Sequence, residues 1–179
     1  MFEEYHVIGL QRTGTNWINE LIKLNFEVSP TNDSFWKHLT PIGTRPRNGH
    51  YLHWKISTKD LILKDNIFYI ATSKEFNLWQ KSLRRNAEDF SITHEGVVQY
   101  DQKSTKIIYD SWHSWKNEQI VKPNFFYKDY MDWLKNWELH LNEIHIKTGW
   151  KKRHEKFVNT KNPVPRSSQF NIDNYIMRN

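Results

Sequence analysis

The chain has 179 residues, no cysteine, a formal charge of +6 at neutral pH and 15% aromatic residues, nine of them tryptophan. That length suits one domain with a genuine core, spanning 1–179, and the missing thiols exclude disulfides, thiolate zinc sites and a cysteine nucleophile. No run of about 18 apolar residues and no basic-then-apolar leader occur, which predicts a soluble, unprocessed, cytoplasmic protein without a membrane partner.

The expected elements follow in chain order. A short apolar strand (5–10) feeds a glycine loop and then a helix over 14–25, with Trp17, Ile18, Leu21 and Ile22 as its apolar stripe. Phe26–Ser29 reads as a brief second strand. Residues 30–50, punctuated by Pro30, Pro41, Gly43, Pro46 and Gly49, read as binding loops. Tyr51–Ile56 is a further candidate strand, with a helical segment near Lys59–Lys64. Ile67–Ala71 is a continuous apolar run, the mark of a parallel strand covered on both faces. Helix is expected over 75–86, irregular chain over 88–104, and helix again over 105–118, where Ile108, Trp112 and Trp115 recur at helical spacing. A strand at Asn124–Tyr127 then leads into an amphipathic helix over 129–147, with Asp129 suited to cap it. The tail from Trp150 is basic and then broken by Pro163 and Pro165. Alternating strands and helices give an α/β domain with a mainly parallel sheet, and ligands in such sheets sit beyond the carboxyl ends of the strands.

The basic balance, with an isoelectric point near 9.4, calls for an anionic partner. A place for one is written into Val7–Trp17, V-I-G-L-Q-R-T-G-T-N-W. Gly9 and Gly14 stand at phosphate-loop spacing between a strand and a helix N-terminus, where main-chain N–H groups and the helix dipole favour an anion. The Lys-Ser/Thr pair of a nucleotide hydrolase is replaced by Thr15-Asn16, so the phosphate lysine and magnesium hydroxyl are missing, while Arg12 lies inside the loop.

Gln11-Arg12-Thr13-Gly14-Thr15-Asn16-Trp17 resembles the 5′-phosphosulfate loop of sulfotransferases that use 3′-phosphoadenosine 5′-phosphosulfate (PAPS), P-[K/R]-[S/T]-G-T-[T/N]-[W/Y]. Arg12 falls on the basic position and Thr13 on the hydroxyl position; Gly14, Thr15, Asn16 and Trp17 follow in register, and Gln11 replaces the usual proline. Lys74-Glu75-Phe76-Asn77-Leu78-Trp79-Gln80-Lys81-Ser82-Leu83 is similar to the family's 3′-phosphate segment, a basic residue followed eight positions later by serine. A bacterial and viral branch reads K-N-P-x-x-W-x-x-S-L there. Glu75-Phe76 departs from its Asn-Pro and sets a carboxylate beside a phosphate site. Trp36-Lys37-His38-Leu39-Thr40-Pro41 looks like the K-T-H-L-P segment with altered spacing.

The resemblance, spanning about residues 5–130, implies a three-layer, P-loop-NTPase-like fold with a central, mainly parallel sheet. It implies in-line, metal-independent transfer of a sulfuryl group from PAPS to an acceptor hydroxyl, with adenosine 3′,5′-bisphosphate released. In that reading Arg12 and the loop to Trp17 hold the phosphosulfate, and Lys74 and Ser82 hold the 3′-phosphate. His38 is the general base, suited by its near-neutral pKa, and Lys37 stands beside the leaving oxygen. His53, next to Trp54-Lys55, competes with His38. Trp17 would stack on adenine or belong to the core; Lys151–His154 or Arg166 would add a second 3′-phosphate cation, and Arg84 and Arg85 more charge. Asn124–Met131 resembles the family's strand-to-helix junction without a catalytic role. The acceptor is a small molecule or glycan. A phosphoryl-transferring nucleotide enzyme and a basic nucleic-acid-binding protein are the alternatives, discriminated by Mg-ATP and by salt-sensitive oligonucleotide binding. The scattered histidines lack acidic companions at metal-ligand spacing.

Overall fold

The computed structural model describes residues 2–10, 13–31, 63–89 and 102–160. Their elements are β1 (Glu4–Gly9), α1 (Thr15–Asn25), β2 (Ser29–Pro30), β3 (Ile67–Ser73), α2 (Phe76–Asp89), α3 (Gln102–Gln119), β4 (Phe125–Asp129) and α4 (Tyr130–Thr148). The four strands form one sheet in the order β2-β1-β3-β4, every pairing parallel. No described helix is long and apolar enough to cross a membrane.

Strand alternation explains the layers. One face of the sheet presents Tyr5, Val7, Phe68, Ile70 and Phe126 to Trp17, Ile18, Leu21 and Ile22 of α1 and to Trp133, Leu141 and Ile144 of α4. The other presents Ile8, Ile67, Tyr69, Ala71 and Phe125 to Trp79 of α2 and to Trp112 and Trp115 of α3. The result is a three-layer α/β fold. β3, buried along its whole length, is the doubly covered strand that its apolar run predicts.

Three expectations shift. Phe26 is fully buried in the core and makes only an isolated antiparallel bridge to Lys152. The second strand therefore begins later, at Ser29–Pro30 on the sheet margin, where a proline can sit. The irregular stretch expected over 88–104 is helical at both ends, since α2 runs to Asp89 and α3 starts at Gln102. The helix expected over 129–147 is kinked at Asn136 (φ −126°, ψ 29°), an exposed residue whose amide donates to Asp132 at 2.7 Å. Tyr51–Ile56 lies outside the described residues, as do residues 59–62; Leu63 and Lys64 are not helical.

The tail folds back on the foot of α1. Asn25 donates to the carbonyls of Leu21 and Val158, both at 2.8 Å, and accepts from the Val158 N–H at 2.7 Å. Arg153 donates to the Phe26 carbonyl at 2.8 Å, and Lys151 pairs with Glu27 at 3.0 Å.

A candidate anion-binding site at the carboxyl edge

Register decides which residues meet. Gly9 pairs with Thr72 and Ser73 with Asp129, so three chains leave the sheet at one edge: β1 into Leu10, β3 into Lys74 and β4 into Tyr130. From β1 the chain goes first to β2 on one side and later to β3 on the other. The crevice over β1 and β3 is thus a topological switch point, where open parallel sheets bind ligands.

The glycine loop is held closed by Thr13, whose main-chain N–H and hydroxyl both donate to the Leu10 carbonyl, at 3.3 and 2.6 Å. Gly9 has no room for a side chain. A Cβ there would stand 2.5 Å from the Thr72 carbonyl oxygen, 2.6 Å from the Thr13 hydroxyl and 3.2 Å from the Thr15 methyl. Gly14 has φ +86°, and a Cβ on it would overlap the edge of the Tyr130 ring at Cε2 and Cδ2.

Gly14 is also the N-cap of α1 and has no side chain to cap it; among the described residues no side chain takes that role, and no acidic residue lies in the first turn. The N-termini of α2 and α4 are treated differently. Glu75 accepts from the N–H groups of Asn77 and Leu78 at 3.0 and 3.1 Å, and Asp129 accepts from Met131 at 2.8 Å. Orphan donors at a helix start need an acceptor. In α2 and α4 a carboxylate serves, whereas among the described residues α1 has no such side chain, and the positive end of its dipole favours an anion. The Glu75 carboxylate, a liability for phosphate on sequence grounds, is turned into its own helix.

Lys74 is buried, 8% exposed, with its ammonium 4.5 Å from the centre of the Tyr130 ring. Tyr130 in turn meets Trp17 edge-on at 6.2 Å. One tyrosine therefore touches the glycine loop, the first helix and the lysine of the second segment. Asp129, the residue before it, has its carboxyl pushed up by burial, against the pull of the Met131 N–H and the Lys74 charge.

The end of β3 is braced from the other face. Tyr109 donates to the Lys74 carbonyl at 2.9 Å, and burial pushes its phenol up to about 12, so it stays a donor. The hydroxyls of Ser73 and Tyr127 share a 2.7 Å bond, and the Lys116 ammonium sits 4.2 Å over the Tyr127 ring. His113 packs on Tyr109 with ring centres 4.2 Å apart; burial first, then Lys116, pushes its imidazole down to about 4.

The chain matches no known family profile, no characterised protein and no solved structure.

Of the residues singled out in the sequence, Thr13, Gly14, Thr15, Asn16 and Trp17 form the loop and first turn of α1, and Lys74 faces them across Tyr130. Trp17 is a core residue, 3% exposed and packed within the α1–α4 layer. What it can offer a ligand is its main-chain N–H, while its ring supports Tyr130. Ser82 lies half-buried in the second turn of α2. Arg12, Lys37, His38, His53 and Arg166 lie outside the described residues, as do the side chains of Arg84 and Arg85. The basic tail is not brought to the site. Lys151 and Arg153 grip the C-terminal end of α1, and 11 residues of helix separate that end from Gly14, about 16 Å at 1.5 Å per residue. Among the described residues no group of three His, Cys, Asp or Glu could hold a metal ion.

Tyr130 and the capping role of Glu75 were missed from sequence. The one available signal for Tyr130 was its position directly after a strand of a parallel sheet, where ligand-facing residues collect.

Proposed function

We propose that the protein is a PAPS-dependent sulfotransferase, moving a sulfuryl group to an acceptor hydroxyl. The observation that carries this reading is the meeting of two sequence motifs on one ring: Gly14 of an uncapped helix start and buried Lys74 both abut Tyr130.

The residues present fit such a donor. It needs anion recognition at two points, and the crevice offers a helix N-terminus without a capping side chain and, beside it, a buried lysine. Among the described residues one buried polar atom near the end of β3, Thr72 Oγ1, also has no hydrogen-bond partner, which suits a lining that a polar ligand completes.

When bound, PAPS supplies an activated sulfuryl group. The chain's part is to bind, orient and move one proton. The N–H groups of the first turn of α1 take the 5′ end. Arg12 would help hold the phosphosulfate and offset negative charge that develops there during transfer. Lys74 and Ser82 take the 3′-phosphate through a point charge and a hydroxyl donor. His38 would accept the proton of the acceptor hydroxyl, and Lys37 would add positive charge for the transferred group. Sulfuryl transfer moves a less charged group than terminal phosphoryl transfer, so a cation and a helix dipole suffice. The same reading makes the sheet a P-loop-like one.

The test is thermal stability in the presence of nucleotides. Adenosine 3′,5′-bisphosphate at a hundredfold excess over Kd should add about 2.7 kcal/mol of stability, with adenosine 5′-monophosphate weaker and Mg-ATP without effect. Arg12→Ala and Lys74→Ala should each remove most of the response. Stabilisation by Mg-ATP alone would assign the site to phosphoryl chemistry, and salt-sensitive oligonucleotide binding without any nucleotide response would assign the protein to nucleic acid.

A further inference from the structure

Lys74 poses a physical problem that the fold solves with Tyr130. A lysine is a flexible four-carbon stem with much rotamer freedom to lose, and a useful phosphate ligand must be held where the phosphate arrives. Here the residue as a whole is 8% exposed, and its ammonium rests on an aromatic face, at 4.5 Å from its centre. A ring face attracts a cation without consuming its N–H donors, since the attraction is to the quadrupole. The ring itself has little freedom. Its edge lies against Gly14, where even one added carbon would overlap it, and Trp17 backs it edge-on. Its main chain is fixed as the first residue of α4, directly after the Asp129 cap. The backbone from which Lys74 springs is fixed as well, by the bond from Tyr109 to its carbonyl.

We propose that Tyr130 is the positioning residue that sets specificity for the 3′-phosphate: its ring is a rigid spacer, with the glycine loop on its edge and the Lys74 ammonium on its face. This rests on the sulfotransferase reading, because that reading puts one phosphate of the nucleotide at each end of the spacer. A fixed separation between loop and ammonium suits one ribose position and disfavours its neighbour. The protein thus distinguishes adenosine 3′,5′-bisphosphate from the 2′,5′-isomer, which carries the same charge and the same atoms.

Calorimetric titration of the whole chain with adenosine 5′-monophosphate and both bisphosphates tests this. Wild type should bind the 3′,5′-isomer more tightly than the 2′,5′-isomer and the monophosphate. Tyr130→Phe keeps the ring and should keep that order. Tyr130→Leu should weaken the 3′,5′-isomer by roughly 2- to 30-fold, the range for a cation held on a ring, bring the two isomers together and leave the monophosphate unchanged. A fluorinated phenylalanine at position 130 preserves shape while cancelling the ring's quadrupole. It should reproduce the Leu result, and it decides the matter if the Leu variant does not fold. Failure of wild type to bind the 3′,5′-isomer above the monophosphate would overturn the sulfotransferase reading, and this inference with it. Wild-type discrimination that survives in Tyr130→Leu or in the fluorinated protein would overturn the role of Tyr130 alone. So would equal loss for all three nucleotides, the mark of a merely structural residue.

Discussion

Gly14 shows how much one residue carries at this edge. Its φ of +86° belongs to the left-handed region that side chains avoid, and the space beside it is filled by Tyr130. Two penalties therefore act at once on any substitution. Gly149 has φ +69° at the end of α4, yet a Cβ there would meet nothing within 4 Å. Gly149→Ala should cost the backbone term alone, about 1–2 kcal/mol, whereas Gly14→Ala should cost that and the displacement of the ring. Urea unfolding of both variants measures the difference, and equal losses would show that Tyr130 yields freely. Gly14 was legible in the sequence because a loop between strand and helix needs a glycine at a fixed place. Tyr130 was not, because nothing local distinguishes an aromatic that folds over a loop from one that packs into a core. Trp17 is the converse case: an aromatic in a motif position that its helix turns inward.

Among the elements, the starts of α1, α2 and α4 differ in what meets their first-turn N–H groups. Carboxylates of Glu75 and Asp129 satisfy the first turns of α2 and α4, and removing a capping side chain costs about 0.5–2 kcal/mol. Glu75→Ala and Asp129→Ala should each lose that amount in chemical denaturation, with Asp129→Asn close to wild type because the amide oxygen still accepts. A Glu75→Ala protein of undiminished stability would return that carboxylate to the neighbourhood of the proposed phosphate site. The cap at Asp129 could be read directly, as an aspartate standing between a strand and an apolar-periodic helix. The cap at Glu75 could not, because the comparison of motifs set it beside Lys74 and gave it no other partner. The kink at Asn136 was hidden for a similar reason: the apolar stripe of α4 continues through it, and only the backbone angles reveal the break.

Over the whole molecule, burial of two imidazoles contributes to the acid response. Burial, followed by Lys116, holds His113 down at about 4, against an ordinary value of 6.5, and burial also lowers His140. Between those values the unfolded chain binds a proton that folded His113 does not. Stability therefore falls as pH drops from 6.5 towards 4, and is recovered as pH rises through the same window. His113→Gln, which cannot take up that proton, should flatten this limb of the stability profile. An unchanged slope between pH 4 and 6.5 would show that His113 is solvated. The substitution leaves the nucleotide response untouched if the brace on β3 works through Tyr109, whose hydroxyl holds the Lys74 carbonyl.

Periodicity and apolar runs were enough to announce alternating strands and helices, a doubly covered β3 and a glycine loop beyond β1, because each depends on neighbours within a few positions. Strand order, register and the face each helix takes depend on residues far apart, and here they chose the companions of the described candidates. Pairing Gly9 with Thr72 and Ser73 with Asp129 is what carries Lys74 and Tyr130 to the loop. Folding the tail under α1 is what keeps Lys151 and Arg153 away from it. Chemistry at a site is a matter of distance in space. A linear chain specifies that distance only through the sum of its packing, which no short stretch of it contains.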